Sequence, residues 1–210
     1  MAKLPNIMQR VYKKLTTPSK IQDFINSIPA NFELQGETNM APLKVLEKNT
    51  AHCMEGAMLA ASILRYHGRS PLIMDLRAKR PDDDHIVALF KVGSCFGAIS
   101  KTNHPVLRYR EPIYENLREL AVSYFHEYFD NQTRKKNLRE YSIGVDLSRF
   151  DNVQWETTDK DLWEIVEAVD EARHYNIITK VQERLLRKAE AIEVQAGNIT
   201  EWSNIGKRLY

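Results

Sequence analysis

The stretch from Thr50 to Ser100 limits what this chain can fold into more than any other. It opens with Asn49 or Thr50 as a capping residue, and then Met54, Ala57, Met58, Ala61 and Leu64 recur at helical intervals. Arg65-Tyr66-His67-Gly68 follows, giving cations for a last turn and a glycine just past it, so a helix is predicted from near Thr50 to just before Gly68. Gly56, Ala57, Ala60 and Ala61 keep that helix thin enough to lie close against a sheet. Pro71–Leu76 reads as a buried strand and the charged run Arg77–Asp84 as an exposed loop. His85–Lys91 and Phe96–Ser100 then flank Gly93-Ser94 as a tight hairpin. That register sets His85 opposite Thr102, with Ser100 diagonal to it. Helix, strand and hairpin in this order predict an α+β core on an antiparallel sheet.

The flanks read as mainly helical. Ile7, Met8, Val11, Tyr12 and Leu15 make one stripe, and Pro18 opens a second helix carrying Ile21, Phe24, Ile25 and Ile28, ended by Pro29. A loop follows to Pro42, where another helical turn can open. Lys101–Pro112 is a polar connection, and Tyr114, Leu117, Ala121, Tyr124 and Tyr128 predict a long amphipathic helix. Tyr141–Leu147 alternates like a strand. Thr158-Asp159-Lys160-Asp161 resembles a capping box before Leu162, Ile165, Val166 and Val169, and the helical period continues from Ile177 to Ile192 towards Gly197. The expected organisation is an α+β domain over residues 1–150 and a helical C-terminal extension over 151–210, with N- and C-terminal helices around the core.

A chain of 210 residues with a formal net charge of +2 gives no global argument for nucleic acid or an anionic membrane as partner. Two local basic clusters, Arg77-Ala78-Lys79-Arg80 and Arg134-Lys135-Lys136-Asn137-Leu138-Arg139, lack interleaved aromatics and read as solvated surface. No stretch is apolar enough to span a membrane, and the first ten residues lack the apolar run of a signal peptide. With only Cys53 and Cys95 there is no disulfide framework. The expectation is a cytoplasmic protein with reduced thiols.

Chemistry concentrates at Cys53 and His85. A thiol becomes a nucleophile when its pKa falls, which a helix N-terminus and a nearby imidazole both promote. Cys53 sits in the first predicted turn, where free N–H groups can also hold an oxyanion, and His85 opens the hairpin. His52, beside the thiol, is placed to tune it or simply to sit at the helix start; Cys95, in the hairpin turn, is incidental. Asp84-His85, Asn103-His104 and His126 show no metal-ligand spacing with Cys53, so neither metal nor cofactor is expected. No glycine loop cradles a phosphate and no serine elbow is present.

Cys53 at a helix start, Gly68 after that helix, His85 opening a hairpin and Phe96 following the turn together resemble the core of the transglutaminase-like superfamily, which shares the papain-like fold. The resemblance covers about residues 43–103. It implies Cys53 as nucleophile and His85 as base, with an Asp usually orienting the imidazole. That position, fifteen residues after the His, holds Ser100 here, and Asn103, three residues on, could orient the ring as an asparagine does in papain-like enzymes. The implied activity is a cysteine-dependent hydrolase or acyltransferase acting on an amide or ester of a peptide or protein. The alternative is a member that has lost turnover and serves as a binding or scaffolding module.

Overall fold

A computed structural model describes residues 4–209; residues 1–3, at the head of the expected first domain, and Tyr210 lie outside the described residues. The helices are α1 (Asn6–Tyr12), α2 (Pro18–Ser27), α3 (Pro42–Lys48), α4 (Cys53–Tyr66), α5 (Leu117–Val122), α6 (Trp163–Asp170), α7 (Lys180–Leu185) and α8 (Ala191–Gly197). The strands are β1 (Leu72–Ala78), β2 (His85–Val92), β3 (Cys95–Ser100), β4 (Arg110–Tyr114), β5 (Leu138–Ser142), β6 (Val145–Asp146) and β7 (His174–Asn176). They form one antiparallel sheet in the order β4-β3-β2-β1-β5-β7, with β6 beside the start of β1. The molecule is thus a mixed α+β fold, and no helix among the described residues is long and apolar enough to cross a membrane.

Side chains alternate across a strand, so each strand feeds two layers. Ile73, Ile86, Ala88, Phe90 and Ile99 face α4 and the N-terminal helices. Met74, Leu76, Val87, Leu89 and Ala98 face the opposite layer, with Leu120, Tyr124 and Tyr128. Helix α4 is buried from Met54 to Leu64, which is why its sequence, Glu55 and Ser62 apart, is small and apolar all round rather than on one stripe. Its start also passes close to the end of β3: a Cβ on Gly56 would lie 2.4 Å from Lys101 Cβ, so only glycine fits there. At the other end of the hairpin Gly93 takes φ +60°, which its missing side chain permits, and Val92 pairs with Cys95 as a two-residue turn requires.

The flanks differ from expectation where strands decide. Arg110–Tyr114, expected as the end of a polar connection with Tyr114 opening a long helix, pairs with β3 instead, so α5 starts only at Leu117, where the Asn116 side chain accepts from the Glu119 N–H. Tyr141–Leu147 is split into β5 and β6 around Ile143-Gly144. Thr158 does not cap a helix: its hydroxyl accepts from the Lys160 N–H, while Asp161 accepts from the Asn39 backbone and α6 begins at Trp163. The helical run after Ile177 breaks into α7 and α8, with Leu186 extended between them. A boundary at residue 150 separates no second core. Trp155, Leu162, Ile165 and Val169 belong to the α4 layer, and β7 is an edge strand of the sheet.

Candidate active site

The N-cap of α4 is His52, with Cys53 the first helical residue. The backbone N–H groups of this turn have no intrahelical acceptor. His52 Nδ1 accepts from the Met54 N–H at 3.3 Å, and its Nε2 lies 2.8 Å from the Thr38 carbonyl oxygen. Beneath it Glu55, wholly buried, accepts from the His52 N–H, the Met40 N–H, the Thr38 hydroxyl and the Asn31 amide. A buried carboxylate needs such donors, and here they come from the 31–40 loop, which is thereby fixed to the helix start.

His85 and Ser100 arrive from the neighbouring strands. Val87 pairs with Ser100, so His85 lies diagonal to it, as the hairpin register predicts. His85 Nε2 is 2.8 Å from Ser100 Oγ, and that hydroxyl lies 2.5 Å from the Leu107 carbonyl oxygen. A serine has one proton to give. It goes to Leu107, so Ser100 accepts from His85 Nε2–H and leaves Nδ1 as the nitrogen for the thiol. Leu107 itself sits at φ +58°, an unfavourable conformation for a branched-chain residue, with its N–H held by Glu127 at 2.7 Å. The strain is retained at the residue whose carbonyl anchors the Ser100 hydroxyl. The main chain of Ser100 is held in turn by Gln22 of α2, which accepts from its N–H at 2.9 Å and donates to its carbonyl at 2.8 Å.

Burial alone would push the Cys53 thiol up. Hydrogen bonds to His52 and His85, and the charges of both rings, outweigh it and hold Cys53 down at about 5. For His52 burial would favour the neutral ring, but the Cys53 hydrogen bond, the Glu55 carboxylate and the Thr38 carbonyl raise it to about 9. Around neutral pH the pair is therefore thiolate and imidazolium. The half-buried thiol opens into a cleft of about 410 Å³ lined also by Tyr128, Asn103, Lys101 and the acidic loop Asp82-Asp83-Asp84. Lys101 is buried, donates to the Ile28 carbonyl at 2.5 Å, and is lowered to about 8, first by burial and then by Arg108 and Arg208 against the pull of Glu201.

Of the four residues the sequence singles out, Cys53, His85 and Ser100 come together. Asn103 lines the cleft, but it is not the group on the ring. Its amide donates to the Trp202 carbonyl and its oxygen accepts from the Trp202 N–H, pinning the C-terminal segment. Of the metal candidates, His104 faces the Gly197 carbonyl instead. Cys95, read as incidental, lies at the far end of the hairpin. Asp75, Asp84 and Asp170 do bring ligand oxygens within 4.8 Å of one another, a grouping the sequence hides because each comes from a different element. The Arg77 guanidinium already stands among them, 3.6 Å from Asp75 and 3.9 Å from Asp84. Gln22, Leu107 and Glu127 are supporting residues that no sequence signal marked.

Fold and site define an α+β protein with a thiol between two imidazoles at the end of an antiparallel sheet. Against protein-family models and against curated proteins, the chain gives no match.

Proposed function

We propose that this chain is a cysteine-dependent hydrolase or acyltransferase with a transglutaminase-like, papain-like core, acting on an amide or ester of a peptide or protein. The observation that carries this reading is the thiol at the start of α4 held at about 5 by two imidazoles, one of them braced through Ser100. The Cys53 thiolate attacks the carbonyl carbon, and the oxyanion that forms is met by N–H groups of the first turn of α4. The proton that His85 carries on Nδ1 while its charge holds the thiolate passes to the leaving amine or alcohol as the bond to carbon breaks, leaving a thioester on Cys53 and a neutral His85 ring. Water or an acceptor amine then loses its proton to His85, attacks the thioester and releases the thiolate. His52 stays beside the sulfur as a cation throughout. The test is alkylation of Cys53 by iodoacetamide across pH, with Cys95 as internal standard. A rate already at plateau just above pH 5 and depressed in His85→Ala is expected. A rate climbing to the ordinary thiol range, indifferent to His85→Ala, overturns the reading.

One observation favours the second reading, a binding or scaffolding module without turnover. The group on His85 is a neutral hydroxyl, and a hydroxyl stabilises an imidazolium less than a carboxylate does. A low-pKa Cys53 that never accumulates a thioester with activated ester probes would decide for it.

A further inference from the structure

The two basic clusters that read as solvated surface in the sequence are brought to one place by the fold. Lys79 and Arg80, from the end of β1 and the loop beyond it, face Lys135, Lys136 and Arg139 across a groove of about 650 Å³. Lys180, Arg184, Arg187 and Lys188 of α7 and the segment after it close the third side. Every charged residue lining this groove is Lys or Arg except Glu183. Glu183 shows what the groove accepts: its carboxylate oxygen lies 2.9 Å from Lys79 Nζ and 3.0 Å from Arg139, and the two cations hold it below the usual carboxylate range. Among the described residues Lys135, Lys180, Arg184 and Lys188 have no carboxylate partner of their own. The volume is that of a ligand groove rather than a flat charged face.

The groove adjoins the Cys53 cleft. The loop joining β1 to β2 contributes Arg80 and Pro81 to the groove and Asp82, Asp83 and Asp84 to the cleft, and Asn137 of the groove donates to Asp82 at 2.8 Å. No aromatic ring lines the groove, so single-stranded nucleic acid would find no stacking surface there. The geometry points to a binding groove for an acidic polypeptide segment, which docks a protein substrate beside the thiol. This rests on the reading of Cys53 as acting on polypeptides. Carboxylates of the segment take the place beside Lys180, Arg184 and Lys188 that Glu183 takes beside Lys79 and Arg139.

The test is fluorescence anisotropy of a labelled oligoglutamate peptide with the full chain at low salt. Saturable binding is expected, weakened by added salt and weakened at least about tenfold by the combined Lys180→Glu, Arg184→Glu and Lys188→Glu change. These three side chains are exposed, and unchanged Cys53 alkylation in the variant confirms that it folds. Absence of binding, or binding indifferent to the charge reversal, overturns the proposal, as does tighter binding of an oligouridylate of equal charge. The readout does not need the thiol: Cys53→Ala is expected to bind the peptide as the native chain does. Charge-dependent peptide binding with an ordinary Cys53 retains the groove and fells the reading of the cleft alone.

Discussion

The molecule holds two histidines tied by hydrogen bonds to side chains of its sheet strands, and they are set up in opposite ways. His174, on the edge strand β7, places Nε2 2.9 Å from Asp75 Oδ2 and Nδ1 2.6 Å from the Ala172 carbonyl oxygen. Both nitrogens are committed. Asp75 is wholly buried and pushed up to about 6, chiefly by burial, against the pull of His174. His85 has a neutral partner on one nitrogen and the thiol on the other. The pair with a carboxylate has no thiol, and the pair with the thiol has no carboxylate. A carboxylate on the ring makes a strong structural tie; on the proposed reading it is the nitrogen left over that matters for chemistry.

The largest expected effect is at the thiol. Cys53→Ala should abolish both rapid alkylation and any thioester, and His85→Ala should lower turnover by about 10²–10⁴-fold, the usual worth of a positioned acid–base group. Mass spectrometry of the labelled chain and burst kinetics with an activated ester read these directly. The same substitutions at His174 should leave the reactivity of folded protein unchanged; a fall there would break the contrast.

Ser100 sharpens it. Ser100→Ala should cost roughly one to two orders of magnitude in turnover, short of the ~10⁴ that a triad carboxylate commands in serine proteases. Ser100→Asp is not expected to improve matters, because a carboxylate cannot donate to the Leu107 carbonyl that the hydroxyl serves at 2.5 Å. It should lower stability by about 1–3 kcal/mol, the cost of an unpaired buried acceptor, as measured by urea unfolding.

His174→Ala tests the other pair. It strands the buried Asp75 carboxylate without its histidine, and removing one partner of a buried pair costs about 3–5 kcal/mol, so the midpoint of unfolding should fall clearly while alkylation of the folded fraction keeps its native pH profile. Unchanged stability would mean that the Asp75–His174 contact ties nothing.

The smallest effect is in the pH dependence of stability, read as the native chain minus Cys53→Ala. Cys53, lowered from 9.0 to about 5, contributes stability that is lost as pH falls through its folded value. His52, raised from 6.5 to about 9, contributes stability that is lost as pH rises through its own. Between about 6.5 and 9 the two slopes oppose and cancel, because the folded pair and the unfolded pair then carry one proton each. The difference should slope only on the acid side, falling from about pH 6.5 to 5; a slope near pH 9 would mean the two groups titrate separately.

How much of this was legible follows from where the partners lie in the chain. The α4 stripe, the Gly93-Ser94 hairpin and the diagonal of His85 and Ser100 depend on near neighbours, and all three could be read from the residues. Asn103 could not be placed, because its partner Trp202 lies 99 residues away and converts a candidate orienting group into a clasp. Arg110-Glu111-Pro112 reads as connection and Tyr114 as the first residue of a helical stripe, and only pairing with β3 makes a strand of Arg110–Tyr114. The Gln22 clamp, the strain at Leu107 and the meeting of two basic clusters with α7 are likewise products of the tertiary fold. Cys53 was visible as chemistry because a single helix start sets it; its second imidazole was visible as a residue but not as a cap.

The alternation of β2 has a consequence for when the chain can react. His85 shares its face with Val87 and Leu89, in the layer of Tyr124 and Tyr128, whereas α4 lies over the opposite face. The thiol and its base therefore belong to different halves of the interior and meet only past the end of the sheet. Ser100 is held there by Gln22 of α2. On the proposed reading, a molecule in which α2 has lifted away loses the hold on Ser100 and with it the brace on His85, so the low value of Cys53 reports that both layers have come together.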